Sequence, residues 1–175
     1  VAIGVLNLEG LWTRYADPLP LLEEISQLPV ENAIQRMQKI YSAPIQADLI
    51  RERISYIRAS GVTVAAALSP KRTAEFHEAV VKAGVDLFVI RGTTVSAEHV
   101  GSGVEPLNLK EFIYELDVPV VVGGVATYSA ALHLMRSGAA GVLVGFGGGA
   151  AHTTRSVLGL AVPMAAAVAD VAAAC

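Results

Sequence analysis

Short, almost wholly apolar runs alternate along this chain with longer amphipathic stretches, and this alternation constrains the fold more than any other feature. Residues 62–68 form one apolar run, and residues 71–83 follow it with helical spacing until Gly84. Apolar runs that lack polar alternation are typical of strands covered on both faces. Repeated strand–helix units with such strands predict a parallel α/β sheet.

The same pattern predicts five strands and seven helices. The strands are residues 3–7, 62–68, 87–90, 118–122 and 142–144. The helices are residues 17–28, 30–41, 47–60, 71–83, 108–116, 128–137 and 163–174. Both an open doubly wound sheet and a (β/α)₈ barrel fit this order, and periodicity alone does not choose between them. A full barrel needs eight strands and about 250 residues, so a barrel of 175 residues is an incomplete one.

Composition limits the class of protein. Hydrophobic residues make up 53% of the chain, which predicts one packed domain over residues 1–175. The net charge of −3, without a Lys/Arg cluster, argues against a nucleic-acid partner. No apolar run reaches the roughly 18 residues of a membrane span. A single cysteine, Cys175, predicts a reducing cytoplasm, and the 17% of charged residues leaves apolar surface for other subunits to cover.

Candidate site residues follow the strands, because ligands of both architectures bind at the carboxyl ends of the strands. These segments are residues 7–10, 69–70, 91–94, 123–127 and 145–155. The last reads Gly-Phe-Gly-Gly-Gly-Ala-Ala-His-Thr-Thr-Arg. Its glycines let the backbone approach a ligand or an ion closely. It fails the dinucleotide fingerprint, because Ala150 takes the third glycine position and no helix is predicted to open there.

Residues 147–155 resemble the potassium and catalytic loop of the IMP dehydrogenase/GMP reductase family. Residues 137–145 and 159–163 are similar to that family in register, residues 122–127 resemble its segment after the fifth strand, and residues 83–86 lead into the fourth. The resemblance covers nearly the whole chain. It implies strands two to six of a TIM-type barrel, from the branch that lacks the inserted CBS domain pair.

The resemblance also implies a chemistry. The family binds a purine nucleotide, IMP or GMP, and its cysteine thiolate attacks C2 while hydride passes to or from NAD(P). By position, His152 and Thr154 are the catalytic candidates. The implied nucleotide contacts are Gly123, Gly124, Gly149 and Ala150, and the implied cofactor contacts are Arg91, Gly92 and Thr93. Backbone carbonyls of Gly147, Gly149 and His152 would hold potassium, and the family assembles as homotetramers.

Several positions depart from the family pattern. His152 replaces the nucleophilic cysteine, and an imidazole is a poor substitute for a thiolate that forms and releases a covalent adduct. Ala150 replaces a serine, Gly124 an asparagine, and Arg91 begins a segment that replaces Asp-Ser-Ser. His152 is therefore either a general acid/base or ligand in a nucleotide pocket, or a loop histidine in a site that has lost its original chemistry. The accompanying changes favour the second interpretation.

Three functions stay open: an NAD(P)-dependent purine-nucleotide oxidoreductase, a paralogue that binds a nucleotide or regulates its relatives, and a barrel fragment that only folds or self-associates. Other polar residues carry weaker predictions. His77 and His133 lie in predicted helices and are expected in solvent, while His99 follows the third strand and is a weak site candidate. Glu9 is expected to cap a turn rather than enter the pocket.

Overall fold

A computed structural model describes residues 2–95, 107–150 and 152–175, which form five strands and eight helices. The strands are β1 (Val5–Asn7), β2 (Ala65–Leu68), β3 (Leu87–Arg91), β4 (Val120–Val125) and β5 (Gly141–Val144). The helices are α1 (Leu19–Gln27), α2 (Val30–Tyr41), α3 (Ala47–Ala59), α4 (Pro70–Lys82), α5 (Leu109–Glu115), α6 (Tyr128–Arg136), α7 (Thr154–Leu158) and α8 (Met164–Ala172). A 3-10 turn spans Leu11–Thr13.

The strand order decides between the two predicted architectures. All neighbouring strands are parallel, and the sheet runs β1-β2-β3-β4-β5 without a reversal. A doubly wound sheet would reverse its order at a switch point. Right-handed crossovers in an order that never reverses place the connecting helices on one face of the sheet. The fold is therefore α/β with part of a TIM-type barrel, as predicted.

Alternate strand residues point to opposite faces, and one set builds the core. Its members are Leu6, Ala66, Leu68, Phe88, Ile90, Val120 and Val122, which pack with helix residues such as Phe76, Val80 and Leu134. Phe88 is fully buried and meets Phe112 of α5 edge-on at 5.9 Å. Burial of a large apolar side chain such as Phe88 stabilises the fold by about 2 kcal/mol. The other set, which includes Asn7, Ala67, Arg91 and Leu143, faces away from this core.

The segment between β1 and β2 carries three helices. Glu24 of α1 forms an ion pair with Arg36 of α2, and the Arg36 guanidinium lowers the pKa of the Glu24 carboxyl. Arg14 donates hydrogen bonds to the carbonyls of Tyr41 and Ala43, and the Tyr15 hydroxyl donates to the Ile40 carbonyl at 2.8 Å. The end of α2 is thereby tied to the turn that follows β1.

Two sequence predictions about elements were wrong. A helix does open after the glycine-rich loop: α7 begins at Thr154 and ends at Leu158, and the next residue, Gly159, has a φ of +67° that suits the position after a helix end. β4 also continues past residue 122, because Gly123 pairs with Arg91 and the chain stays in the sheet to Val125. Glycine in a strand costs backbone entropy and packs no side chain, but at this position a larger residue does not fit. Here a Cβ at position 123 would lie 2.5 Å from the Leu143 Cβ.

No helix among the described residues is long and apolar enough to cross a membrane. His99 lies outside the described residues, as does Ala151 within the glycine-rich loop.

Candidate functional site

A cleft of about 730 Å³ lies at the carboxyl ends of the five strands. It has the size of small-molecule sites, which range over about 300–1,000 Å³. The residues that line it are Asn7, Glu9, Ala67, Leu68, Ser69, Arg91, Gly92, Thr93, Gly124, Leu143, Gly145, Phe146, Gly147, His152 and Thr154. Every strand contributes to the cleft directly or through the residues just after it, so the parallel order has gathered them at one edge of the sheet.

His152 is held by the turn in which it lies. Its ring Nδ1 accepts a hydrogen bond from the backbone N–H of Gly149 at 3.0 Å, and its own backbone N–H donates to the Gly149 carbonyl at 3.1 Å. Since Nδ1 acts as an acceptor, the proton of the neutral imidazole lies on Nε2. The exposed ring lines the cleft with a hydrogen-bond donor at its far nitrogen.

Two glycines that precede His152 in this loop have no room for a side chain. A Cβ at position 149 would lie 2.6 Å from Nδ1 of His152, so a side chain there would displace the ring. Gly147 is buried at φ +62°, and a Cβ there would lie 2.9 Å from the Leu160 carbonyl. Thr154, the first residue of α7, lines the cleft, and its Cβ would lie 3.5 Å from a Cβ added at position 147.

The ends of β3 and β4 are joined by backbone hydrogen bonds. The N–H of Gly92 donates to the Gly123 carbonyl at 2.8 Å, and the N–H of Gly124 donates to the Gly92 carbonyl at 3.1 Å. The Gly124 carbonyl in turn accepts from Val95 at 3.2 Å. A Cβ at position 124 would lie 2.4 Å from the Gly145 carbonyl oxygen. At this corner the cleft wall is therefore backbone without side chains. The amide and the carbonyl of Gly124 both already form backbone hydrogen bonds.

The predicted site residues divide into two groups. Those that line the cleft are Arg91, Gly92, Thr93, Gly124, Gly147, His152 and Thr154. Gly123, Gly149 and Ala150 stand behind or beside it: Gly123 packs on β5, Gly149 supports the imidazole, and Ala150 is exposed. Their predicted contacts to a nucleotide stay predictions.

The other end of the cleft includes Asn7, Glu9 and Ser69, which lie in the predicted strand-end segments but received no specific role from the sequence. The Glu9 carboxylate accepts a hydrogen bond from the backbone N–H of Ser69, the residue before α4, and the Asn7 side-chain oxygen accepts from the Glu9 N–H at 3.1 Å. The expectation that Glu9 caps backbone rather than entering the pocket was wrong in its second part, because Glu9 caps backbone and also lines the cleft. The position just after a strand had placed Glu9, like Asn7, Ser69 and Phe146, in a candidate segment.

Hydrogen bonds occupy only part of the accepting capacity of the loop carbonyls that are proposed to bind a monovalent cation. The Gly149 carbonyl accepts the His152 N–H, and a carbonyl oxygen keeps a second lone pair. Among the described residues no group of three His, Cys, Asp or Glu side chains is placed to hold a metal ion. In the same part of the chain no carboxylate pairs with the exposed Arg91 at the mouth of the cleft.

The two helical histidines have different environments. His133 on α6 is exposed, as predicted. The prediction of a solvated His77 was wrong, because its ring packs edge-on against Phe112 at 5.2 Å and its Nδ1 lies 3.0 Å from the Thr73 carbonyl. The approach of α5 to α4, which periodicity does not reveal, covers this ring.

Comparison with known proteins decides the family. A sequence model of the IMP dehydrogenase / GMP reductase domain matches residues 27–175. The chain belongs to the IMP dehydrogenase/GMP reductase family. A crystal structure of an IMP dehydrogenase/GMP reductase-like protein from Corynebacterium glutamicum covers 98% of this chain and 45% of its own, with a TM-score of 0.88 and 45% identity.

Two further relatives of the family show the extent of the similarity. An uncharacterized oxidoreductase of Mycobacterium tuberculosis is 50% identical over 178 residues, which cover 98% of this chain and 48% of that protein. The inosine-5'-monophosphate dehydrogenase of Pasteurella multocida is 42% identical over 95 residues, 54% of this chain and 19% of that enzyme. The chain thus spans about half the length of the relatives that match it throughout, and belongs to a family of oxidoreductases.

Proposed function

We propose that the cleft binds a purine nucleotide, IMP or GMP, beside a nicotinamide cofactor, NAD(P), and that the protein is an oxidoreductase of the IMP dehydrogenase type. The observation that carries the proposal is the placement of His152 and Thr154, in the loop that resembles the family's catalytic loop, on the wall of a cleft of suitable size. The relative from Pasteurella multocida is named for the dehydrogenation of IMP.

Arg91 and Thr93 are the side chains proposed to meet the cofactor. Both are exposed and line the cleft next to Gly92, whose backbone is fixed by Gly123 and Gly124. A guanidinium at this position favours an anionic group such as a phosphate. Arg91 and Thr93 would hold the cofactor, which would supply the hydride exchange at C2 of the purine.

The hydrogen bond from Gly149 defines what His152 does in this proposal. With its proton on Nε2, the imidazole donates a hydrogen bond to an acceptor of the purine or the ribose. It does not take a proton from water through that nitrogen in this tautomer. The family's covalent step, in which a thiolate bonds to C2, has no thiolate at position 152.

The same bond favours a second candidate, a family member that binds the nucleotide without turning it over or that regulates its relatives. A donor at Nε2 recognises an acceptor but performs no covalent chemistry. The three accompanying changes, Ala150, Gly124 and Arg91, suit altered binding equally well.

Further properties of the family enter as parts of the proposal. Gly147, Gly149 and His152 are proposed to offer carbonyls to potassium, with Gly123, Gly124, Gly149 and Ala150 near the nucleotide. We also propose a cytoplasmic homo-oligomer and the branch of the family without a CBS pair.

The test compares turnover with binding on the full-length protein. IMP-dependent reduction of NAD(P) or GMP-dependent oxidation of NADPH by the wild type supports the oxidoreductase. Nucleotide-dependent thermal stabilisation without turnover, together with turnover by His152→Cys, supports the binding-only candidate, because the scaffold is then intact and only the nucleophile differs. No thermal shift with IMP or GMP contradicts both.

A further inference from the structure

Arg91 brings a positive charge into the cleft at the end of β3. Its side chain is exposed and lines the cleft, and the residue pairs in register with Gly123 of β4. The next residue, Gly92, is held by backbone hydrogen bonds to Gly123 and Gly124. The guanidinium is therefore carried by backbone that is fixed in the sheet, and a guanidinium stays protonated in proteins.

The negative charge of the cleft lies apart from this guanidinium. Among the described residues, Glu9 is the only carboxylate that lines the cleft, and β2 separates β1 from β3. Two strand spacings put the backbones that carry Glu9 and Arg91 roughly 10 Å apart, about the Debye length at physiological salt. The Glu9 carboxylate also bonds to the Ser69 N–H, and no ion pair in this part of the chain joins it to Arg91. The positive charge is thus left to act on a ligand in the cleft.

The two redox forms of a nicotinamide cofactor differ by one unit of charge. The oxidised ring is a cation, the reduced ring is neutral, and the phosphates are the same in both forms. A fixed positive charge beside the dinucleotide therefore binds the reduced form more tightly than the oxidised form. The sign of this preference does not depend on which part of the dinucleotide the guanidinium meets, whereas its size grows as the ring comes closer.

We propose that Arg91 discriminates between the redox forms of the cofactor and makes the cleft bind the reduced nicotinamide more tightly than the oxidised one. This inference rests on the proposed function, because it requires that NAD(P) occupies the cleft. Of the two ligand pairs, IMP with the oxidised cofactor and GMP with the reduced one, Arg91 favours the second. Thr93 and the backbone at Gly92 carry no net charge and do not contribute to this preference.

The exposure of Arg91 sets the size of the effect and its dependence on salt. Two unit charges about 4 Å apart in water interact with an energy that corresponds to a roughly fivefold change in affinity. Salt screens such an interaction when the charges are exposed. The preference should therefore be about fivefold at low ionic strength and should shrink as salt is added. A packing contact made by the same side chain would not depend on salt in this way.

The experiment measures cofactor binding to the full-length protein by isothermal titration calorimetry, without a purine nucleotide and hence without turnover. The dissociation constants of NAD, NADH, NADP and NADPH give the ratio of oxidised to reduced affinity for each pair. In the wild type the reduced form should bind more tightly in both pairs. Arg91→Gln should lower this preference about fivefold, whereas Arg91→Lys, which keeps the charge, should retain it. Arg136→Gln is the matched control, since Arg136 is exposed at the end of α6 and does not line the cleft.

The outcomes separate this inference from the proposed function. Cofactor binding with the same preference in the wild type and in Arg91→Gln would overturn the inference alone, as would a wild type that binds the oxidised forms more tightly. An equal loss of preference in Arg136→Gln would also overturn it, because the effect would then come from overall charge. Binding of none of the four dinucleotides would overturn the cofactor site itself and this inference with it. Unchanged melting of the variants by circular dichroism shows that folding is kept.

Discussion

The backbone N–H of Gly149 donates a 3.0 Å hydrogen bond to Nδ1 of His152. This contact ties the residue at the family's nucleophile position to a glycine whose own predicted role was a nucleotide contact. It fixes the ring orientation and leaves the imidazole proton on Nε2. A residue that sequence comparison marks as a loss of chemistry is thereby an ordered hydrogen-bond donor in the cleft.

The tautomer of His152 is open to direct observation. Long-range nitrogen–proton NMR spectra, recorded where the imidazole is neutral, should show the proton of this ring on Nε2. In Gly149→Ala the added Cβ would occupy the place of Nδ1, so the ring must turn away and the bond is lost. That loss weakens nucleotide binding by about 1 kcal/mol, or roughly fivefold. Gly4→Ala is the control, because nothing lies within 4 Å of its Cβ. Spectra with the proton on Nδ1 would contradict the assignment.

Gly145 combines two constraints that a double variant can separate. Its φ is +93°, and a Cβ would lie 2.6 Å from Cε of Met164. Gly145→Ala should lower the free energy of unfolding by about 1 kcal/mol for the left-handed backbone alone, plus the cost of moving Met164. In a Met164→Ala background only the backbone cost of Gly145→Ala should remain. Urea denaturation measures the effect of Gly145→Ala in the wild-type background and in the Met164→Ala background. An equal cost in both backgrounds would mean that Met164 does not crowd this position.

Glu9 is predicted to stabilise the cleft through its bond to the Ser69 backbone. Glu9→Ala leaves that N–H without its acceptor and should lower the free energy of unfolding by about 1 kcal/mol. Glu9→Gln keeps a side-chain oxygen and should cost less. Urea denaturation of the three proteins checks the order, and equal losses for Ala and Gln would show that the hydrogen bond is not the cause.

Asp86 gives the fold a pH dependence. The N–H of Val64 at 2.8 Å, and then Arg58 at 3.2 Å, hold the pKa of the Asp86 carboxyl below its usual range. A folded-state pKa below the unfolded value, about 3.9, contributes stability above that pH, and the contribution disappears as the pH falls through the folded value. The free energy of unfolding of the wild type should exceed that of Asp86→Asn most at neutral pH. Urea denaturation at a series of pH values should show this difference shrinking as the pH falls. A gap that stays constant with pH would contradict this.

The sequence predicted the strand–helix order well because apolar runs report burial directly. It left the barrel and the doubly wound sheet equal, since periodicity carries no information about which strands are neighbours. The order of β1 to β5 settled that question in three dimensions. The helix at Thr154 was missed because five residues are too few for a periodic signal.

Only part of the site could be predicted from the sequence. Strand ends identified Arg91, Gly124 and His152 as neighbours of one cleft, and the structure places them there. Sequence alone could not show that the Gly124 amide bonds to Gly92 or that Gly149 supports the imidazole. Such contacts depend on how loops from separate strands meet, which residue types do not reveal.

Isothermal titration calorimetry with IMP and with GMP tests whether this cleft binds a purine nucleotide through His152, as we propose. We expect saturable binding of at least one nucleotide to the wild type at one site per chain. His152→Ala should weaken that binding roughly fivefold, as expected for the loss of one hydrogen bond, while His133→Ala on the exposed face of α6 should leave it unchanged. Binding of neither nucleotide, or equal affinity in the wild type and His152→Ala, would contradict a nucleotide site at His152.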